Sequence, residues 1–158
     1  MTRTPLRSVG APLCAAAMLA VATTAAAPAA SAADIAAYPS PSMEGLPYSG
    51  AVRAGGVVYV GGVLGNVRGK KELVPGGVEA EARQAFAYVK EMLETAGSAL
   101  DRTVKCVVLL SDIDDFPKMN AVYTEVFPKA PPTRSTIIVP EIPLGAAIEV
   151  ECNALAGD

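Results

Sequence analysis

PPTRSTIIVPEIPLGAAIEVECNALA, residues Pro131 to Ala156, is the stretch whose reading decides the fold. Its last part, Ile148-Glu149-Val150-Glu151-Cys152-Asn153-Ala154, alternates apolar and polar residues without a break. Period-2 alternation is the mark of a half-buried strand, here with Ile148, Val150, Cys152 and Ala154 inward and Glu149, Glu151 and Asn153 outward. Upstream, Pro131-Pro132 precedes Arg134 and the apolar run Ser135 to Val139, a second strand. Pro140 to Gly145 turns the chain between them. Were the two strands a symmetric hairpin, Arg134 would face Asn153. Glu149 would then lie four residues away, about 13 Å along the strand. Arg134 and Glu149 therefore meet only through a shifted register, another strand or another subunit.

Working back from that stretch, the period becomes helical. Phe116, Met119, Val122, Tyr123, Val126 and Phe127 fall at spacings of three and four, after Asp112, Asp114 and Asp115 as cap candidates and Pro117 in the first turn. Thr103 to Leu110 (TVKCVVLL) reads as a central strand buried on both faces. Val78 to Ala96 is a longer amphipathic helix, with Gly97 placed to end it. Before it, Ala51-Val52-Arg53 and Val57 to Val60 flank Gly55-Gly56 as a hairpin. Gly61-Gly62 is expected to end the second of these strands, and Val63 to Gly77 to form an irregular connection. Gly61 to Gly65 lacks the Lys-Ser/Thr ending of a phosphate loop.

The order β-β-α-β-α-β-β, with about five strands and two helices, predicts an α+β domain with both helices on one face of a mixed sheet. The other face then needs a cover, and a second copy of the chain is the expected one.

Residues 1–32 stand apart. Arg3 and Arg7 precede an alanine-rich run from Ala11 to Ala27, and Ala30-Ser31-Ala32 offers a small-x-small cleavage site. This pattern predicts a secretory signal peptide and an exported, periplasmic or extracellular protein that is free of the membrane after cleavage. Residues 33–44, polar and Pro-punctuated, read as a flexible arm, and residues 45–158 as the folded domain. Removing residues 1–32 takes away two basic residues and no acidic ones, moving the formal charge from −3 to −5. An acidic chain with no basic run argues against a nucleic-acid partner.

The chain has no histidine. Ser-His-Asp and Cys-His nucleophile pairs are excluded, and the commonest metal ligand is missing. Neither zinc spacing nor a calcium loop occurs, so no metal is expected. Cys106 and Cys152 lie in predicted strands. Pairing would need Cα atoms within about 7 Å, and small buried thiols are the expected state.

Several strings, in shared order, resemble the RidA/YjgF family of imine deaminases over nearly all of Gly45 to Ala156. They are Pro47-Tyr48-Ser49, Glu81-Ala82-Arg83-Gln84, Val104-Lys105, Asp115-Phe116, Met119-Asn120-x-x-Tyr123, Pro132-Thr133-Arg134-Ser135 and Ile148-Glu149-Val150-Glu151. Glu149 follows Arg134 by fifteen positions, as in the family. The resemblance implies a chorismate-mutase-like fold assembled as a homotrimer, with a site in each cleft between subunits. It also implies cofactor-independent hydrolysis of enamine and 2-imino acids to 2-oxo acids and ammonia.

By that resemblance Arg134 holds the substrate carboxylate, Glu149 is the acid near the imine, and Tyr48 lines the site. Gly62 and Tyr88 stand at further substrate-binding positions, and Thr136 joins Glu149 as a catalytic candidate by offering its hydroxyl or backbone to the attacking water. The chemistry suits these residues: a guanidinium fork matches a carboxylate, and one carboxyl can protonate an imine nitrogen while water is positioned. Where the family commonly has Ser-Gly-Gln, this chain has Gly61-Gly62-Val63; Tyr88 replaces a usual asparagine and Thr136 a frequent cysteine. The alternative is a non-catalytic trimer binding small carboxylates such as 2-oxo acids in the same cleft. A chaperone-like trimer has no direct signal, ribonuclease activity fits poorly with an acidic, histidine-free chain, and a chorismate mutase would need more cations than Arg134.

Overall fold

The computed structural model describes residues 35–42 and 44–157. The expected signal peptide, residues 1–32, lies outside the described residues.

Six strands form one mixed sheet: β1 (Ala36–Tyr38), β2 (Ala51–Ala54), β3 (Val57–Leu64), β4 (Thr103–Leu110), β5 (Thr133–Ile138) and β6 (Ile148–Leu155). Their spatial order is β1-β2-β3-β6-β4-β5. Helices α1 (Gly77–Thr95) and α2 (Phe116–Val126) connect β3 to β4 and β4 to β5. Every neighbour pair is antiparallel except β4 and β5. That parallel pair requires a crossover, and α2 supplies it. The expected α+β architecture is the observed one.

Three elements differ from expectation. Part of the arm, residues 33–44, is structured: Ala36–Tyr38 pairs with β2 and edges the sheet. Three residues are too few to show periodicity, so this strand exists through its pairing alone. Gly61-Gly62 does not end β3. The strand runs through them with a shift in register against β6 between Val60 and Val63. A bulge absorbs the extra residue and bends the strand. Finally, β5 and β6 do not form a hairpin, because β4 inserts between them.

The core lies between the helices and one sheet face. Cys106, Val108 and Leu110 of β4 pair with Cys152, Val150 and Ile148 of β6, and all six are buried. Against them α1 sets Ala82, Ala85, Phe86, Val89, Met92 and Leu93, the stripe its spacing predicted. Phe86, Tyr123 and Phe127 pack as an edge-on cluster, with Phe86 5.7 Å from each of the other two ring centroids. At Gly65 the end of β3 passes so close to α1 that an added Cβ would stand 2.3 Å from the Glu81 Cα. Only glycine permits that crossing.

Cys106 and Cys152 are not free thiols. They form a disulfide across β4 and β6, with Cα atoms 4.1 Å apart. The two strands place them directly opposite one another on the buried face, which spacing in the sequence does not reveal.

The opposite sheet face carries exposed apolar residues, among them Tyr59, Ile137 and Leu155. Both helices are spent on the other side.

Candidate functional site

Arg134 and Thr136 sit beside Cys106 and Val108 in the β4/β5 register, and so share the face on which the helices pack. Glu149 is opposite Leu109, and points to the bare face. Two strand spacings and a three-residue offset separate the Cα atoms of Arg134 and Glu149 by about 14 Å, with the side chains pointing apart. Within one copy the two residues do not meet.

Arg134 is held by α2. Its Nη2 donates to Asn120 Oδ1 at 2.6 Å, and its Nη1 to the Met119 sulfur at 3.6 Å. The guanidinium carbon lies 4.4 Å from the Tyr123 ring centroid and 5.6 Å from that of Phe116. A planar cation on aromatic faces is oriented without being neutralised. Among the described residues Arg134 has no carboxylate partner. Burial pushes the Tyr123 hydroxyl above its ordinary pKa, against the opposing pull of Arg134. Neutral Tyr123 therefore leaves the cation uncompensated.

Glu149 is half-buried against the β3 bulge. A Cβ built on Gly62 would stand 1.9 Å from Glu149 Oε1, so the carboxyl occupies the space a side chain there would take. Burial first, and the neighbouring Glu151 charge second, raise the Glu149 pKa above the ordinary carboxylate value.

Gly62 is also part of the wall of a cavity of about 230 Å³. Tyr48, 60% exposed, stands on the same wall system, as do Val63, Asn66, Lys71 and Leu144. The segment expected to be a flexible arm contributes Ser40 and Ser42 to it. Leu144 has φ of +65°, a left-handed conformation unusual for a branched residue. Its turn is anchored next door, where the buried Glu81 carboxylate accepts from the Ala147 backbone N–H at 2.8 Å.

Tyr88 is not in this cavity. It is 1% exposed in the core, and its hydroxyl donates to the Asn66 carbonyl at 2.9 Å. Its position lies three residues after Ala85 and four before Met92, on the inward stripe of α1, which accounts for its burial. Burial raises its pKa, and it acts as a neutral donor supporting the cavity wall from below.

Tyr48 and Gly62 thus share one cavity with Glu149 packed against Gly62, and Arg134 and Thr136 share a face elsewhere. Sequence reasoning missed Asn120 and Tyr123 as partners of Arg134. Both lie within a string shared with the family, but the helical spacing marks only Tyr123, as a packing residue.

A family model described as Endoribonuclease L-PSP matches residues 39–156. A bovine 2-iminobutanoate/2-iminopropanoate deaminase is 40% identical over 111 residues, 70% of this chain and 81% of the relative. The mitochondrial protein mmf1 of Schizosaccharomyces pombe is 42% identical over 112 residues, 69% of this chain and 68% of the relative. Among solved structures, RidA from an Antarctic Psychrobacter superposes with a TM-score of 0.69 at 31% identity, covering 75% of this chain and 97% of that one. The Escherichia coli YjgF product gives 0.68 at 31% identity, covering 75% and 95%.

These relatives overturn the expectation of export. Those whose names state a compartment are mitochondrial in fission yeast and chloroplastic in Arabidopsis thaliana. The physical reason is compositional: two arginines, no acids and small residues in 1–32 suit organellar leaders as well as secretory ones, so that pattern does not select export.

Proposed function

The chain belongs to the Endoribonuclease L-PSP family, the RidA/YjgF proteins, and from that premise we propose that it hydrolyses 2-imino acids to 2-oxo acids and ammonia in a cleft between copies of itself. The observation that carries this reading is Arg134, oriented by Asn120 and Tyr123 and left without a carboxylate partner. Such an arginine is a receptor for a small carboxylate.

Because Arg134 and Glu149 point from opposite sheet faces, the reaction centre takes its arginine from one copy and Tyr48, Gly62 and Glu149 from the next. A homotrimer closing the bare sheet faces on one another supplies that geometry, and the exposed Tyr59, Ile137 and Leu155 provide its apolar surface. No cofactor is required by this chemistry.

In the reaction the Arg134 fork fixes the α-carboxylate. Glu149, whose raised pKa favours the protonated form, donates its proton to the imine nitrogen and makes the carbon electrophilic. Water adds to that carbon, held by backbone groups and by Thr136 beside Arg134. It gives a proton to Glu149, which passes it to the carbinolamine nitrogen; ammonia leaves as the hydroxyl proton returns to Glu149, and the 2-oxo acid remains. One C=N bond is lost, one C=O bond is formed, and one water is consumed.

The test is a coupled assay in which an amino-acid oxidase generates 2-imino acids in the presence of semicarbazide. Purified protein should suppress semicarbazone formation, and Arg134→Ala should not. An assembled wild-type protein that binds 2-oxo acids without suppressing semicarbazone would overturn hydrolysis. That outcome would favour the binding reading, for which Gly61-Gly62-Val63, without a hydroxyl or amide at the cavity wall, is the specific support.

A further inference from the structure

Among the described residues, Lys71 is the sole charged residue lining the cavity that holds Tyr48 and Gly62. It has neither an ion-pair partner nor a side-chain hydrogen bond among the described residues, whereas its neighbours Arg68 and Lys70 are paired with Glu91 and Glu72. An unpaired cation sharing a cavity wall with Gly62, against which the Glu149 carboxyl packs, is a feature that hydrolysis of a simple imino acid does not use.

The loop carrying Lys71 is fixed rather than loose. Asn66, 2% exposed, turns its side-chain amide on three carbonyls, those of Ser42 at 3.1 Å, Val67 at 3.2 Å and Lys70 at 2.9 Å. Backbone bonds from Val67 N–H to the Glu72 carbonyl and from Gly69 N–H to the Ser42 carbonyl close the turn. From below, the Tyr88 hydroxyl pins the Asn66 carbonyl, and Arg68 lies over the Tyr88 ring at 5.2 Å. Asn66 and Leu73 form a bridge that ties the two ends of the loop. The backbone at Lys71 is therefore preorganised, so ordering the loop costs little when a ligand arrives.

The cavity is also larger than the smallest imino acids need. At about 230 Å³ it leaves room for a longer side chain than theirs. Its other polar side chains are neutral: Ser40 and Ser42, whose hydroxyls lie 2.8 Å apart, Tyr48, Ser49, and Asn66, whose amide nitrogen is already committed to the loop carbonyls. A ligand group that complements one ammonium among neutral donors is an anion.

We propose that Lys71 is a specificity-determining residue that receives a second, terminal carboxylate, and that the preferred substrates are 2-imino dicarboxylic acids. This inference rests on the deaminase reading: the α-carboxylate goes to Arg134 of one copy, the imine to Glu149 of the next, and the side-chain carboxylate to Lys71 on the same cavity wall as Gly62.

The experiment compares an imino dicarboxylate, made by glutamate oxidase from glutamate, with an imino monocarboxylate, made by L-amino-acid oxidase from leucine. Each is assayed with wild type, Lys71→Met and Lys71→Arg. Lys71 is exposed in one copy, and removing one charge-assisted contact should lower the dicarboxylate-to-monocarboxylate ratio of kcat/KM about tenfold in Lys71→Met. Lys71→Arg, which keeps the charge, should hold the ratio within about twofold. A ratio unmoved by Lys71→Met overturns the assignment, as does a wild type that turns over only the monocarboxylate. Calorimetry of 2-oxoglutarate against 2-oxobutanoate provides the same ratio without turnover. If wild type hydrolyses neither imine, the deaminase reading fails, and the calorimetric ratio alone then upholds or overturns Lys71 as the second carboxylate receptor.

Discussion

Arg134 and Glu149 stand on opposite faces of one sheet, with β4 lying between their strands. No rotamer of either side chain brings the two together across a strand whose neighbouring residues on the helix side are fully buried. A site that uses both is by construction a site between molecules.

The first consequence concerns assembly. Sedimentation should show a trimer. Ile137→Lys, which places a charge on the exposed apolar face, should dissociate it and cut imine hydrolysis in parallel, because burying an unpaired charge in a subunit interface costs several kcal/mol. Full activity in a demonstrated monomer would refute a site shared between copies.

The second concerns how Arg134 is oriented. Arg134→Lys retains the charge but loses the planar fork that lies over Tyr123 and bonds Asn120. It should lose about 100-fold in kcat/KM, close to the loss in Arg134→Ala, since bidentate geometry rather than charge is at stake. Asn120→Ala should raise KM about tenfold, by freeing the guanidinium. An active Arg134→Lys enzyme would show that a point charge suffices.

The third is a pH effect with a definite sign. Glu149 has a folded-state pKa raised by burial and by Glu151. Its protonated form is therefore favoured by folding, and that contribution is full below the unfolded carboxyl value of about 4.3 and is lost as pH rises through the raised folded value. Glu149→Gln should accordingly be more stable than wild type at neutral pH, with the difference vanishing on acidification below about pH 4. Thermal melts of both proteins across this range check it; a Glu149→Gln protein less stable at neutral pH would contradict the direction. The same variant should be inactive in the semicarbazide assay.

The fourth separates two adjacent glycines. A methyl group at Gly62 collides with the Glu149 carboxyl, whereas one at Gly61 meets its nearest atoms at 3.7 Å. Gly62→Ala should therefore lower kcat about tenfold or more by displacing the acid, and Gly61→Ala should lower it much less. Equal effects would show that Glu149 swings away freely.

The fifth is a stability change. The disulfide closes a separation of 46 residues. On the loop-entropy model its removal costs about 4 kcal/mol. Denaturant titration of wild type against the Cys106→Ala, Cys152→Ala double variant should reveal a loss of that order, with the slope of unfolding in denaturant changed as well.

Much of the fold was legible because it is written in local periods. The α1 stripe from Val78 to Leu93 and the alternation of β6 need no tertiary knowledge. Arg134, Glu149 and Tyr48 stand out as candidates only through strings that the chain shares with the family. Facts of non-local pairing were not. β1 exists only because Ala36 to Tyr38 meets β2. The separation of Arg134 from Glu149, and the meeting of Cys106 with Cys152, both follow from β4 entering between β5 and β6 after a helical crossover. Tyr88 was misplaced because a tyrosine at the edge of a helical stripe can face solvent or core, and the Asn66 carbonyl that takes its hydroxyl lies in a loop with no period at all. Lys71 was equally silent, one lysine of a Lys-Lys pair in that loop.

The pairing of Cys106 with Cys152 also bears on how the chain avoids a wrong fold. A slip of one residue between β4 and β6 would turn Cys152 to the opposite side of the sheet and put the two sulfurs out of reach of each other. It would also carry the acids of β6 into the core. The sulfur bond can therefore close only on the correct alignment, and once closed it forbids every other. It is a covalent check on the alignment of β6 with β4, and through β4 on the edge strand that carries Arg134.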